Sequence, residues 1–303
     1  MSQLPASLHV LERGWLSSNN ILLFEGDRAI LVDTGYVSHA DQTVALVRSA
    51  LDGRRLTDIV NTHSHSDHIG GNAAVQRAFG CRITVPAGMH DAVQQWDENA
   101  LLLTVAGQTG DRFTADTKAH PGDTREMGGL HWEALAAPGH DMDALMFFNR
   151  DHGVLISGDA LWRDGFGILF ADVLGTGDGI GEARRTLDVI ARLPVRHVIP
   201  GHGAPFDEVD EALAAAYARL RAFEEDGSRM ARNAIRGCVT FSLLDMRRIA
   251  LADLPGWLDR TPLFRIANER FLNETPERLA DWLVASLVKA GVARRDGEWL
   301  VAA

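Results

Sequence analysis

The stretch Thr62-His63-Ser64-His65-Ser66-Asp67-His68 decides the fold, and it follows a short predicted strand at residues 58–61. Histidines two residues apart on extended backbone point to the same side. The loop entering the next helix then brings in Asp67 and His68. Neutral imidazoles and carboxylates are ligands that zinc and similar metals prefer. The cluster therefore predicts a metal site at the end of a strand.

Three further candidate ligands lie downstream, each after a glycine and close behind a predicted strand. They are His140 after residues 130–136, Asp159 after residues 154–156 and His202 after residues 195–199. Binding sites in α/β sheets gather at the carboxyl ends of strands. Glycine lets the backbone pass close to a bound ion. We expect these three residues to join the first cluster.

The region around these ligands predicts alternating strands and helices, which is typical of a layered α/β domain. Strands at 21–25 and 29–33 flank Gly26-Asp27, a hairpin signal. Helical spacing covers 40–51, and a single helix is predicted over 68–79, ended by Gly80. Residues 90–127 lack a clear pattern and are expected to form a long loop-like insertion.

The last third of the chain differs from the rest, since all 12 histidines lie within residues 1–202. Helical spacing begins beyond Glu208 and returns over residues 274–290. A hairpin signal at Asp296-Gly297 follows, so the end of the chain resembles a winged helix. We predict two domains, residues 1–207 and a helical C-terminal module of residues 208–303.

Composition excludes several classes of protein. The chain has 303 residues, 46% hydrophobic and 23% charged, with a net charge of -11. This balance is that of a globular protein and disfavours nucleic acid as a partner. The two distant cysteines, Cys81 and Cys238, predict reduced thiols. With neither a signal peptide pattern nor a run of 18 apolar residues, a cytoplasmic protein without membrane contact is expected.

Over about residues 15–205 the sequence resembles the metallo-β-lactamase superfamily. The segment THSHSDHIGG at 62–71 matches the H-x-H-x-D-H signature of that family. The later histidine, aspartate and histidine appear in the same order. The resemblance implies an αββα sandwich with a two-metal site in its cleft. In this chain the mostly helical, winged-helix-like module would follow the sandwich.

The resemblance also assigns the ligands and the cofactors. The first metal would be held by His63, His65 and His140. The second metal would be held by Asp67, His68 and His202. Asp159 would bridge the two metals, and Asp33 would orient a ligand histidine from behind. Two divalent ions are implied, zinc first, although the ligand set also suits iron or manganese.

The implied activity is hydrolysis of an ester or thioester carbonyl by a hydroxide shared between two metals, oriented by Asp67 and Asp159. Authentic β-lactamases generally lack the bridging aspartate, and residues 160–201 lack the tyrosine that acyl-homoserine lactonases use. The chain resembles glyoxalase II and β-lactamase-like thioesterases more closely. Three alternatives stay open: a metal-dependent endoribonuclease or phosphodiesterase, a mononuclear-iron sulfur dioxygenase, and a binding protein on a retained fold.

The aromatic segment after Asp159 predicts the substrate pocket. We expect Trp162 and Phe166 to line an apolar pocket for a small-molecule acyl substrate, with Met142 opposite. Ordinary core packing is the alternative for these side chains. Two roles stay open for the C-terminal module, covering of the cleft and formation of a homodimer.

The predicted metal site leads to a prediction about the metal content of the purified protein. Tag-free protein purified without added metal should contain about two zinc ions per chain, because seven candidate ligands suffice for two sites. Elemental mass spectrometry measures this ratio. About one iron per chain would instead favour oxygen-dependent sulfur chemistry.

Overall fold

Six short strands build a first sheet, in which a tight turn joins the second and third strands and helices connect the parallel strands. The computed structural model describes residues 4–303 and orders these strands as they occur in the sequence. The strands are β1 Leu8–Leu11, β2 Asn20–Glu25, β3 Arg28–Val32, β4 Arg55–Val60, β5 Arg82–Pro86 and β6 Thr117–Ala119. The first three strands pair antiparallel, and β3 to β6 pair parallel. The predicted hairpin around Gly26-Asp27 is confirmed.

A second sheet of five strands faces the first one. Its strands are β7 Thr124–Met127, β8 Leu130–Ala136, β9 Leu145–Asn149, β10 Val154–Gly158 and β11 His197–Pro200. The order in the sheet is reversed, from β11 to β7, and only β10 and β11 pair parallel. The carboxyl ends of β3, β4, β8, β10 and β11 are the points from which candidate site residues emerge.

The two sheets bury one apolar layer between them and a further layer on each outer face. Trp132 and Phe147 of the second sheet meet Leu23 and Val60 of the first in the inner layer. A second cluster lies between the first sheet and its helices, and a third extends from the second sheet to the C-terminal helices. Sheets covered on both faces need helices outside them, which gives the predicted αββα sandwich.

Seven α-helices accompany the two sheets. They are α1 Ala40–Leu51, α2 Ser66–Ile69, α3 Asn72–Phe79, α4 His90–Gln95, α5 Leu103–Ala106, α6 Phe170–Leu174 and α7 Gly179–Arg192. The single helix predicted over 68–79 is wrong, because the chain breaks between α2 and α3 at Gly70-Gly71. A Cβ at Gly70 would collide with the backbone of Tyr36 and Val37, and a Cβ at Gly71 with the carbonyl oxygen of Thr34.

Residues 90–127 are not a structureless loop, so that expectation is also corrected. They contain α4, α5, β6 and β7. These elements are short, three to six residues each, and too brief to show a period in the sequence. Their apolar side chains Val93, Leu101 and Leu103 are nevertheless buried in the core.

The end of the chain is helical and finishes in a small sheet. The helices are α8 Val209–Glu225, α9 Gly227–Met246, α10 Leu254–Arg260, α11 Pro262–Ala267 and α12 Pro276–Lys289. The strands are β12 Arg248–Ala250, β13 Ala293–Asp296 and β14 Trp299–Ala302. The hairpin around Asp296-Gly297 and the N-terminal cap of α12 by Thr275 are confirmed.

The C-terminal helices share one apolar cluster with the second sheet. Ala231, Ala234 and Val239 of α9 belong to the same buried cluster as Phe148 of β9. The boundary between 207 and 208 stays a prediction. Among residues 4–303, no helix has both the length and the apolar character that crossing a membrane requires.

The break at Gly70-Gly71 generates a stability prediction. Gly71→Ala should lower the free energy of unfolding by about 1–3 kcal/mol, because the added methyl group must displace the backbone of Thr34. Urea denaturation followed by circular dichroism measures the change. Gly14→Ala is the matched control, since a Cβ there meets no atom within 4 Å. Equal midpoints for the two variants would contradict the packing argument.

Candidate metal centre

The histidine cluster lies where β4 ends and α2 begins. His63 and His65 sit on the connecting residues, and His65 is in extended conformation as the residue before α2. His68 lies inside α2 and is fully buried. The tight packing of this loop against residues 34–37 folds α2 back toward the strand end. The imidazoles of His63, His65 and His68 therefore lie close together at the strand end.

The structure brings all seven predicted ligands together in two adjoining groups. Within each group the candidate ligand atoms lie within 4.8 Å of one another. The first group is His63, His65 and His140, and the second is Asp67, His68, Asp159 and His202. This division matches the ligand sets that the sequence predicts. The binding of metal to them stays a prediction.

Asp159 lies between the two groups and reaches both. Its Oδ2 is 3.4 Å from His140 Nε2 in the first group. Its Oδ1 is 3.4 Å from His68 Nε2, and its Oδ2 is 3.8 Å from His202 Nε2, in the second. A carboxylate in this position has an oxygen available to each group, which is the arrangement that a bridging ligand requires.

Hydrogen bonds to the far nitrogens of the imidazoles set their tautomers. His140 Nδ1 donates to the carbonyl oxygen of Ile168 at 2.7 Å, which leaves Nε2 with a lone pair toward the site. The Thr62 hydroxyl donates to Asp33 at 2.8 Å and so accepts from His63 Nδ1 at 3.0 Å. His63 thereby also directs an unprotonated Nε2 inward.

Three buried ring nitrogens have no hydrogen-bond partner among the described residues: His63 Nε2, His68 Nε2 and His202 Nδ1. A buried polar atom without a partner costs about 1–3 kcal/mol. The unpaired Nε2 atoms of His63 and His68 are donors that a divalent metal ion can bind, whereas His202 meets Asp67 with its other ring nitrogen, Nε2, at 2.9 Å. The donor set therefore fits the two ions that the resemblance implies. The chemistry of the donors, five imidazoles and two carboxylates, suits zinc, iron or manganese.

Asp33 supports the site from behind, on the loop after β3. Its carboxylate accepts from His68 Nδ1 at 2.7 Å and from the Thr62 backbone N–H at 2.9 Å. The residue adopts a left-handed backbone conformation with φ of 56°, which turns its side chain under the cluster. Two imidazoles, those of His68 and (through Thr62) His63, thus depend on one carboxylate.

Burial and mutual charge set the protonation of the cluster. Burial lowers the pKa of both His65 and His140 to about 4, so both rings are neutral at pH 7. Burial raises the pKa of Asp159, but the neighbouring His202, His68 and His140 outweigh it and hold that pKa well below its ordinary value. Burial lowers the pKa of His68, but the adjacent Asp33, Asp159 and Asp67 outweigh it and hold that pKa well above its ordinary value. Neutral imidazoles beside an ionised carboxylate, as at His65, His140 and Asp159, are the protonation states that a metal requires.

Aromatic rings surround the cluster on its open side. Trp15 stacks on His202 with centroids 5.3 Å apart, and Phe170 meets the His65 ring edge-on at 5.0 Å. The Trp162 indole N–H donates to Asp159 Oδ1 at 3.1 Å. Phe170 lies in the aromatic segment after Asp159 from which the sequence predicts the substrate pocket. Sequence analysis missed Trp15, because it lies outside that segment and only the folded chain places it here.

A cavity of about 430 Å³ opens over the candidate ligands. Trp162 and Phe166 line it, as the sequence predicts, together with Cys238 and Phe241 of α9. Met142 does not line it, so its predicted place opposite Trp162 is wrong. The loop after His140 turns the Asp141 side chain inward, and Met142 is left 43% exposed.

Comparison with known proteins shows which sequences this chain resembles. The family model described as the metallo-beta-lactamase superfamily matches residues 13–202. The hydroxyacylglutathione hydrolase of Rhodopseudomonas palustris (strain HaA2) is 34% identical over 119 residues, 39% of this chain and 39% of that protein. The protein named "Probable metallo-hydrolase YqgX" of Bacillus subtilis (strain 168) is 27% identical over 209 residues, 65% of this chain and 90% of that protein. The chain therefore matches less than half of the length of the first relative.

A solved structure shares the fold over nearly the whole chain. The metallo-beta-lactamase family protein from Thermus thermophilus has a TM-score of 0.60 at 20% identity, covering 99% of this chain and 100% of that one. At this identity the likeness concerns the fold. It extends over the C-terminal helices as well as the two sheets.

Asp33 can be tested by Asp33→Asn, a substitution that removes the charge of the side chain and keeps its shape. Asp33→Asn should weaken metal affinity by about 10–100-fold, because an amide in place of the carboxylate weakens the hydrogen bond that orients the His68 ring. Competition for zinc with a chromophoric chelator measures the affinity. Asp27→Asn, in the exposed turn between β2 and β3, is the control. Unchanged zinc affinity in Asp33→Asn would show that Asp33 does not orient the ligands.

Proposed function

We propose that this chain, which belongs to the metallo-beta-lactamase superfamily, is a metal-dependent hydrolase that cleaves a thioester, and less readily an ester, of a small acyl compound. The observation that carries the proposal is the position of Asp159. It reaches both ligand groups and lies at the floor of a cavity with mostly apolar walls. Such a cavity accepts an acyl chain and directs its carbonyl carbon toward the ligands.

The seven ligands would hold two divalent ions, zinc by preference. His63, His65 and His140 would hold one of them, and Asp67, His68 and His202 the other. Asp159 would be shared between the two. When bound, the pair of ions supplies Lewis acidity toward the carbonyl oxygen and lowers the pKa of water at the site.

Asp67 and Asp159 act on the attacking water. Burial raises the pKa of Asp67, but the adjacent His68 and His202 outweigh it, so that carboxylate is ionised at neutral pH. An ionised carboxylate accepts a hydrogen bond from water and fixes the direction of its lone pair. Trp15, Trp162 and Phe170 form an apolar wall of the cavity beside the same point.

The lining of the cavity favours a thioester over an alkyl ester. A departing thiolate needs little protonation, since the pKa of a thiol is about 8.5, whereas an alkoxide must receive a proton. Among the described residues that line the cavity, the only carboxyl groups are Asp67 and Asp159. Burial raises the pKa of the Cys238 thiol to about 12, which makes it a poor acid. No separate proton donor is therefore placed for an alcohol.

The names of the relatives support the same class of substrate. Hydroxyacylglutathione hydrolases, by their name, act on a thioester of glutathione. The chain matches only part of their length, so the thiol part of the substrate is proposed from the cavity alone.

The function is tested with a panel of substrates on the zinc-loaded chain. Short-chain acyl thioesters, the matching oxygen esters, bis(p-nitrophenyl) phosphate and RNA are compared by kcat/KM. We expect thioesters to exceed esters and phosphodiesters by about tenfold or more. Selective cleavage of RNA would replace the proposal with the nuclease alternative. Oxygen uptake with a persulfide, in the iron-loaded chain, would replace it with the dioxygenase.

Asp67 generates a prediction for the two-metal site. Asp67→Ala should remove one ion per chain and reduce kcat by about a hundredfold or more, because the variant loses a ligand and the group that orients water. Elemental analysis and steady-state kinetics on the same sample measure both effects. Asp91→Ala, on the exposed surface of α4, is the control. A wild-type kcat with one ion per chain would contradict the two-metal proposal.

A further inference from the structure

The segment between α4 and β6 places an amide side chain in the wall of the cavity. Gln108 follows α5 closely, and it lines the cavity together with Leu102 and Ala106 of the same segment. The amide is polar and uncharged, and it is not one of the candidate ligands. No step of the proposed function uses it.

The backbone around Gln108 is held on both sides. The Gln108 backbone N–H donates to the carbonyl oxygen of Leu103 at 2.8 Å. The backbone N–H of the next residue, Thr109, donates to the Tyr36 hydroxyl at 3.3 Å. The Tyr36 ring in turn meets Phe241 of α9 edge-on, with centroids 4.8 Å apart. These contacts fix the point at which the Gln108 side chain leaves the backbone.

One hydrogen bond orients the amide of Gln108. The Ser66 hydroxyl donates to Gln108 Oε1 at 2.6 Å. Ser66 is buried and lies between the candidate ligands His65 and Asp67, so the amide contacts the segment that carries both. With the amide reversed, the buried Ser66 O–H would have no acceptor among residues 4–303, and such a loss is costly. Oε1 is therefore the atom that faces Ser66.

The nitrogen of the same amide is an unused donor. In the described part of the chain, Gln108 Nε2 has no hydrogen-bond partner, and the side chain is partly exposed. The wall beside it is apolar and includes Leu102, Ala106 and Phe241. A substrate that fills the cavity displaces water from Nε2, and a donor that then meets no acceptor costs free energy. An acceptor oxygen in the substrate would remove that cost.

The backbone that carries Gln108 is strained beside the cavity. Leu102 adopts the left-handed conformation with φ of 57°, although it is not a glycine. Residues in such conformations persist only where the surrounding structure holds them, and they cluster at ligand sites. Gly107, directly before Gln108, is also left-handed with φ of 66°. The two turns bring Leu102 and Gln108 to the wall of one cavity.

We propose that Gln108 is a specificity-determining residue whose Nε2 donates a hydrogen bond to an acceptor oxygen of the substrate, close to the thioester group. This inference rests on the proposed function, because it concerns the substrate of the same site. The contact with Ser66 places the donor beside the segment of His65 and Asp67, and so near the scissile bond. The acceptor oxygen belongs to the acyl part or to the thiol part, and the experiment distinguishes the two.

The experiment uses three thioesters that differ by the exchange of one methylene group for oxygen. The parent is the S-butyl ester of thiobutanoic acid. The second compound has a methoxyacetyl group as its acyl part, and the third has 2-methoxyethanethiol as its thiol part. The zinc-loaded full chain is assayed for kcat/KM with each. The matching ketones, in which a methylene group replaces sulfur, are not hydrolysed, and isothermal titration calorimetry measures their Kd.

Gln108→Glu is the first test variant, because the carboxylate keeps an acceptor for the Ser66 hydroxyl and lacks the N–H donor. Gln108→Met is the second, since it has a similar length and separates the loss of the donor from the added charge. Gln95→Glu is the matched control, on the exposed end of α4 and outside the cavity. Circular dichroism and zinc content verify that the variants are compared in the same folded, metal-loaded state.

We expect the wild type to favour one methoxy compound over the parent by about three- to tenfold more than either Gln108 variant does, which is the size of one neutral hydrogen bond. The comparison of ratios between variants cancels the intrinsic reactivity of each compound. Gln95→Glu should keep the wild-type ratio. The methoxy compound that shows the change identifies whether the acyl part or the thiol part carries the acceptor.

Two results separate this inference from the proposed function. An unchanged ratio in both Gln108 variants, or equal losses with all three compounds, would overturn the role of Gln108 and leave the hydrolysis intact. If no thioester is cleaved while both variants selectively lose affinity for a methoxy ketone, the proposed hydrolysis is wrong and the hydrogen bond from Gln108 stands.

Discussion

Five imidazoles and three carboxylates lie buried together at the strand ends, and the rest of the structure serves to hold them there. Desolvation opposes their gathering, since a buried ionised group is costly unless it is paired. The carboxylate of Asp33 offsets part of this cost by accepting hydrogen bonds from His68 and Thr62. The ring nitrogens without hydrogen-bond partners retain the rest of the desolvation cost. A bound cation would offset it.

The substrate side of the cavity depends on elements far apart in sequence. The loop after β10 supplies Trp162, which both donates to Asp159 and forms part of the wall. Helix α9 closes the opposite side, so the C-terminal region forms part of the cleft. Covering of the cleft, the first open role of that region, stays a prediction. Its other role, formation of a homodimer, stays a prediction.

Predictions from sequence succeeded where a short pattern controls the outcome and failed where packing does. The β2–β3 hairpin and the cap of α12 follow from local turn and capping residues. The break at Gly70-Gly71 depends on a close approach to Tyr36 and Thr34, which no local pattern contains. Helix α9 had a signal, because its buried residues recur at helical spacing, yet several of them are small and polar residues interrupt the run.

The sequence by itself determined the ligand types and their order along the chain, because a metal requires particular donor atoms and the strand ends provide them. It also determined the alternation of strands and helices through the periodicity of apolar residues. Only the tertiary structure decided which nitrogen of each ring faces the site and that Asp159 reaches both groups. It alone placed residues of α9 beside the same cavity as the candidate ligands. Those features arise from contacts between residues distant in sequence, which spacing along the chain does not encode.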